Sequence, residues 1–262
     1  MEPELVHYAA DGGIARIELD APPANTYSYA MMRQLDDAIL RARFDPAVHV
    51  LVLRGRGERF FCAGADIKLL AEADAHTKYH FCLHANETLS RLEQTPKLVI
   101  AALNGHAMGG GLEIALAADL RLARRGGGLL GLPEVNLGVL PGTGGTQRLA
   151  RALGKSRAFE LMASGRALEF DEAREIGLLH EVLDGADFDG AVTEHARRYL
   201  PPTKASRAVG LIKRAVQSGL ECGLSEGLAL ERELQQRLFE SRDAREGLAA
   251  YVGKRPPRFT GD

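Results

Sequence analysis

The strongest constraint in this chain is a repeated cadence: short runs of almost purely apolar residues alternate with stretches of helical periodicity. Val48–Leu53, Leu98–Leu103 and Leu120–Ala123 are such runs. A strand that is apolar at every position, rather than at alternate ones, is covered on both faces, the state of a strand inside a parallel sheet. Helix-like Tyr79–Glu93 precedes the second run and helix-like Gly111–Ala118 the third, so the class predicted is α/β. Ahead of them, Leu5–Ala10 and Ile14–Leu19 flank Asp11-Gly12-Gly13, a turn signal between two strands. Ser28 is placed to cap a helix that carries Met31, Leu35, Ala38, Ile39 and Ala42 on one face.

From Pro201-Pro202 onward strand signals cease. Arg207–Ser218, Ser225–Glu240 and Ala244–Val252 all read as helices with apolar faces. The chain is therefore expected to divide into an α/β core, residues 1–200, and a helical extension, residues 201–262. So short an all-helical tail cannot bury its apolar faces alone; it must fold onto the core or onto a neighbouring copy.

Charge and cysteine usage narrow the function. Lys and Arg number 33 against 35 Asp and Glu, a net charge of −2 that draws the chain neither to nucleic acid nor to an anionic membrane. Cys62, Cys82 and Cys222 are odd in number and far apart, which predicts neither a disulfide framework nor a zinc site. No apolar run reaches the ~18 residues a membrane-spanning helix needs, and no secretory leader is visible. A cytoplasmic, metal-free protein is the expectation.

Chemistry is suggested where glycines meet strand ends. Phe60–Lys68 holds Ala63-Gly64-Ala65-Asp66-Ile67-Lys68 after a buried strand, and its small residues let a ligand approach the Ala65 N–H. The plainer reading is a strand-to-helix turn. Asn104–Glu113 places Gly109-Gly110-Gly111 at a helix start, where unpaired N–H groups and the helix dipole suit a developing anion. Tight helix–strand packing is the plainer reading there. Two such donors converging on one oxygen would form an oxyanion hole, and Glu113 and Glu134 are the nearby candidates for proton transfer, although singly the first reads as a residue complementing a helix dipole and the second as an ordinary loop residue. The third cluster, Leu140–Arg148, lacks the lysine of a phosphate loop and reads as a structural turn before a helix Thr146–Leu153. Gly126-Gly127-Gly128 reads as a hairpin tip, His106 as a loop residue and Cys62 as a small packed thiol.

Taken in order, Ala-Gly-Ala-Asp-Ile-Lys (63–68), Asn-Gly-His-Ala-Met-Gly-Gly-Gly-Leu-Glu (104–113) and Leu-Pro-Glu-Val-Asn-Leu-Gly-Val-Leu-Pro-Gly-Thr-Gly-Gly-Thr-Gln-Arg (132–148) resemble the enoyl-CoA hydratase/isomerase (crotonase) superfamily. The similarity extends through Ser241–Leu248 and Lys254–Phe259. It implies a spiral of β-β-α repeats with a C-terminal helical trimerisation region, and assembly as a homotrimer or homohexamer. It implies oxyanion-hole donors at Ala65 and Gly110 and catalytic carboxylates at Glu113 and Glu134. It further implies a CoA thioester path along Ala63, Ala65, Asp66, Ile67, Lys68 and Gly110, with Tyr251 and Lys254 reaching the CoA of this or an adjacent subunit. Coenzyme A would be part of the acyl-CoA substrate, and no separate cofactor is implied. Both carboxylates together favour hydration of a 2-trans-enoyl-CoA. The isomerases of the family generally rely on the acid matching Glu134, and a non-catalytic or RNA-binding use of the same fold is a remoter alternative. One departure stands out: Pro22–Tyr27 replaces the commoner Asn-Ala-Leu/Met form and puts a polar aromatic, Tyr27, where the CoA path begins. The acyl pocket should draw on Leu112, Leu140 and Leu69–His84.

Overall fold

The computed structural model describes residues 3–262. The N-terminal hairpin pairs β1 (Val6–Asp11) with β2 (Ile14–Leu19) around a two-residue turn, Gly12 and Gly13 at φ 55° and 84°. Positive φ at both central residues is what glycine supplies at such a turn. Helix α1 (Tyr29–Phe44) follows; the Ser28 hydroxyl caps it by accepting from the Met31 N–H at 3.3 Å, and the predicted apolar face is buried, Met32 with it.

Three turns of one pattern then stack. In the first, β3 (Val50–Gly55) leads to β4 (Phe60–Cys62) and to helices α2 (Ile67–Glu72) and α3 (Ala75–Glu93). In the second, β5 (Leu98–Leu103) leads to β6 (His106–Met108) and α4 (Gly110–Leu116). In the third, β7 (Leu120–Arg124) leads to β8 (Leu129–Gly131) and a one-turn 3-10 helix, Glu134–Leu137. The long strands join a sheet of order β1-β2-β3-β5-β7, parallel from β2 onward with β1 antiparallel at its edge, and the short ones a second, parallel sheet of order β4-β6-β8. The spiral of β-β-α repeats is thus present. Helices α5 (Gly145–Leu153) and α6 (Lys155–Ser164), strand β9 (Leu168–Glu169) beside β8, helix α7 (Phe170–Glu175), strand β10 (Glu181–Leu183) beside β7, and α8 (Phe188–Arg197) complete the core.

The apolar runs are explained by cover on both faces. Val50, Val52, Ile100 and Leu122 pack with Phe188, Val192 and Ala196 of α8, while Leu51, Leu53, Val99 and Ala101 face the other cluster, with α1. Side chains alternate across a strand, so two covered faces leave no polar position. Polar side chains stitch adjacent turns instead. The Asn104 carbonyl accepts from Gly55 N–H at 3.0 Å and its amide donates to Gly57 O at 2.8 Å, while the Arg124 guanidinium donates to Asn104 O at 2.9 Å.

Two local expectations need correction. Gly126-Gly127-Gly128 is not a hairpin tip: β7 and β8 belong to different sheets, and the glycines carry the chain from one to the other. A β-carbon on Gly128 would stand 2.7 Å from His106 N, so the crossing is too tight for a side chain. His106 lies not in a loop but on β6, its Nδ1 accepting from the Leu129 N–H at 3.0 Å, which ties β6 to β8.

Beyond Pro201 come α9 (Ser206–Gly219), α10 (Leu224–Phe239) and α11 (Arg242–Val252). Helix α9 lies so close to the core that a β-carbon on Gly210 would stand 2.1 Å from Pro96 O. Lys213 of α9 reaches Asp119 at 2.8 Å, both side chains largely buried. The last residues fold back, the Thr260 and Gly261 N–H groups donating to the Asp243 carboxylate at 2.7 and 2.8 Å. No helix among the described residues is long and apolar enough to cross a membrane.

Candidate active site

The end of β4 and the start of α4 meet. Tyr27 forms a parallel bridge with Ala65: the Tyr27 N–H donates to Gly64 O at 2.9 Å and the Asp66 N–H to Tyr27 O at 3.2 Å. In this pairing the flanking groups of residues 64 and 66 turn toward Tyr27, so the Ala65 N–H turns away. Gly110 is the first residue of α4, whose opening N–H groups have no partner within the helix. Neither amide donates to a backbone or side-chain acceptor among the described residues. They are neighbours across the gap, since a β-carbon on Gly64 would stand 3.2 Å from Gly110 N. Gly109 makes the approach possible at φ 54°, ψ −129°, a conformation essentially restricted to glycine.

The two acids reach this place from different elements. Glu113, in the first turn of α4, is only 2% exposed. Its Oε1 accepts from Thr143 N–H at 2.8 Å and Gly145 N–H at 2.7 Å, and its Oε2 accepts from the Thr143 hydroxyl. Glu134 opens the 3-10 turn after β8, and a β-carbon on Gly109 would stand 2.8 Å from its Oε1. Its Oε2 is buried without a hydrogen-bond partner. Burial pushes the Glu134 carboxyl up to about 7, the nearby Glu113 pushing the same way, against its own backbone N–H and Lys78. One acid is thus held as a hydrogen-bond acceptor; the other sits half-buried and readily protonated near neutrality, the division of labour a proton-transfer pair requires.

A cavity of about 430 Å³ is lined among others by Tyr27, Asp66, Leu69, Leu70, Lys78 and Phe81, so that it borders the chain next to Ala65 without being lined by the two amides or the two acids themselves. The Tyr27 ring stacks on Phe81 at 5.6 Å and lies against Gly110, where a β-carbon would stand 2.3 Å from its hydroxyl. Helices α2 and α3, within the expected Leu69–His84 stretch, form one wall.

Of the residues singled out from sequence, Ala65, Gly110, Glu113 and Glu134 come together, with Ala63, Asp66, Ile67 and Lys68 on the strand-to-helix segment beside them. Leu112, expected at the acyl pocket, is instead 1% exposed inside the core, because α4 is buried along its whole length. Leu140 is exposed next to the third glycine cluster. Tyr251, on α11, and Lys254, just after it, are exposed and do not line the cavity of this chain. Burial pushes the Cys62 thiol up to about 12, which removes it as a nucleophile. Thr143 and Gly145, in what the sequence presents as a structural turn, bind Glu113 instead: a glycine-rich opening of a helix, here α5, offers free N–H groups as the second cluster does.

Known proteins carry the same arrangement of chain. The short-chain-enoyl-CoA hydratase of Clostridium acetobutylicum is 35% identical over 256 residues, 97% of each chain. The mitochondrial methylglutaconyl-CoA hydratase of Mus musculus is 36% identical over 242 residues, 91% of this chain and 76% of that protein. A crystal structure of an enoyl-CoA hydratase from Geobacillus kaustophilus matches with a TM-score of 0.96 at 42% identity, covering 100% of this chain and 98% of the other. The sequence model of the enoyl-CoA hydratase/isomerase family matches residues 9–262. With its β-β-α spiral and that match over nearly its whole length, the chain belongs to the enoyl-CoA hydratase/isomerase, or crotonase, family.

Proposed function

We propose that this protein is an enoyl-CoA hydratase, adding water reversibly and syn across a 2-trans-enoyl-CoA to give a 3-hydroxyacyl-CoA. The observation that carries the reading is the pairing of two differently held carboxylates, Glu113 and Glu134, beside two unpaired amides. The thioester carbonyl accepts from the Ala65 and Gly110 N–H groups, which polarise it and make C3 electrophilic. One such donor typically supplies ~3 kcal/mol of transition-state stabilisation. Glu113 orients water and takes its proton as oxygen attacks C3; Glu134 delivers a proton to C2. The residues of the strand-to-helix segment Ala63–Lys68 hold the CoA portion, and no further cofactor takes part in these steps.

Isomerisation of a 3-enoyl-CoA needs a single acid to carry a proton between C4 and C2, and Glu134 supplies one. Water held by Glu113 favours hydration. Three free thiols support a reducing cytoplasm as the setting.

The test follows loss of enoyl absorbance from crotonyl-CoA with wild type, Glu113→Gln and Glu134→Gln, alongside a 3-enoyl-CoA. Each substitution is expected to lower kcat by ~10²-fold or more. Wild-type kcat/KM for hydration should fall as pH rises through about 7, where Glu134 loses its proton. Near-normal kcat in both variants would discard the assignment, and isomerisation much faster than hydration would replace it.

A further inference from the structure

Behind Glu113 lies a second layer of polar contacts that the hydration chemistry, as proposed above, does not use. Thr143 Oγ1 donates to Glu113 Oε2, and the Tyr27 hydroxyl lies 3.4 Å from the same Thr143 oxygen. Tyr27 is 2% exposed, and no other side-chain partner is recorded for its hydroxyl among the described residues. The direction of the chain follows from the acceptor at its end. Glu113 already receives two amide N–H groups on Oε1, so its Oε2 takes the proton of Thr143, and the Thr143 oxygen is left to accept from Tyr27. The contact is long for an O–H···O bond, in the range from which hydrogen bonds of catalytic sites tighten as substrate binds.

We infer that Tyr27 is a positioning residue for the base, acting through a one-way relay Tyr27 → Thr143 → Glu113 that fixes which oxygen of Glu113 faces water and holds that carboxylate ready to accept a proton. The inference deepens the hydratase reading and rests on it. Three features make the relay a device rather than a chance contact. The Tyr27 backbone bridges Ala65 while its ring lies on Gly110, so a single residue spans both amides and the base. The ring is buried and stacks on Phe81 with ring planes 2° apart, which packs the phenol with its hydroxyl beside Thr143. Burial, with Glu113 nearby, keeps the phenol well above its usual titration range, so it remains a donor wherever the enzyme works. Linked hydrogen bonds polarise one another, and donors to a carboxylate favour its ionised form.

Other charged or titratable groups lie around Tyr27, Thr143 and the two acids. They are Glu134 from the 3-10 turn, Cys62 from β4, Cys82 and Lys78 from α3, and Arg148 from α5. Arg148 is engaged by Glu93 at 2.8 Å and donates to Thr143 O at 3.3 Å. None of these groups bonds to the Tyr27 or Thr143 hydroxyl, so removal of that link should read out at the base.

The experiment is the pH dependence of kcat and KM for crotonyl-CoA hydration in wild type, Tyr27→Phe, Thr143→Val, the double variant, and Thr143→Ser as the conservative control. Tyr27→Phe keeps the ring and its packing; it is expected to lower kcat about fivefold to twentyfold with KM within about twofold, a loss in the range of one hydrogen bond. The loss should appear in kcat across the whole profile, because Glu113 keeps its three direct donors and only the support behind Thr143 is removed, while the alkaline limb set by Glu134 stays in place. In the Thr143→Val background the same Tyr27 change should do nothing further, as expected for partners in one chain. Thr143→Ser should keep the wild-type kcat. A Tyr27→Phe profile superimposable on wild type, or effects that multiply in the double variant, overturns the relay. Wild type and Glu113→Gln keep the two levels apart: a wild type that does not hydrate crotonyl-CoA sinks the hydratase reading and a normally active Glu113→Gln removes Glu113 as the base, whereas an inactive Glu113→Gln beside an unaltered Tyr27→Phe rejects the relay only.

Discussion

A few residues bear opposed demands at this site, and Glu134 is the clearest. Its carboxyl is raised to about 7 because burial disfavours the anion, and its Oε2 has no partner to offset that cost. Between the ordinary glutamate range and about 7 the folded state therefore holds more proton than the unfolded chain, so stability falls as pH rises through that window and the cost is complete above it. Glu134→Gln should accordingly stabilise the protein at pH 8 by about 1–2 kcal/mol, after a discount for the partly open site, and change little at pH 4. Urea unfolding at the two pH values checks this; equal effects at both would show that burial of the charge is not the cause. The acids and amides were legible through the resemblance of three motifs in order to a known family, since a glutamate in the first turn of a helix or beside a proline is by itself an ordinary residue. The partners of Glu113 were not, since Thr143 lies thirty residues downstream and only the packing of α5 on α4 brings its N–H and hydroxyl to the carboxylate.

Among the elements, the long strands and the capped helix were legible, whereas β4, β6 and β8 were absorbed into glycine segments. Each has three residues. Three residues show no alternation, and their strand character comes from the neighbouring turn of the spiral, as when Gly109 N–H donates to Gly131 O at 2.8 Å. Helix α9 depends on such non-local support too. Burial lowers Lys213 and raises Asp119 even though they pair, so desolvation outweighs their attraction and the pair positions the helix more than it stabilises it. Lys213→Met should cost about 3 kcal/mol in urea unfolding, because it leaves Asp119 buried without its cation. A cost near zero would show that α9 is held by its apolar face alone.

At the scale of the whole molecule, the helical tail leaves apolar surface uncovered. Ile212, Val216, Leu220 and Leu224 are each more than half exposed along α9 and the start of α10, as are Phe239 and Tyr251. Exposed apolar side chains gathered on the tail are what an oligomer interface covers. We propose a homotrimer or homohexamer, in which Tyr251 and Lys254 of the tail reach substrate CoA across the interface. Light scattering should return three or six times the 28.3 kDa chain, and a monomer at micromolar concentration would contradict that assembly. The central claim reaches from these helices back to four groups at one gap. A crystal structure with a 3-hydroxyacyl-CoA bound tests it most directly. The account predicts the thioester oxygen within hydrogen-bond distance of both the Ala65 and Gly110 N–H groups, and the 3-hydroxyl between Glu113 and Glu134. A thioester oxygen turned away from those amides, or a hydroxyl reached by neither acid, would contradict it.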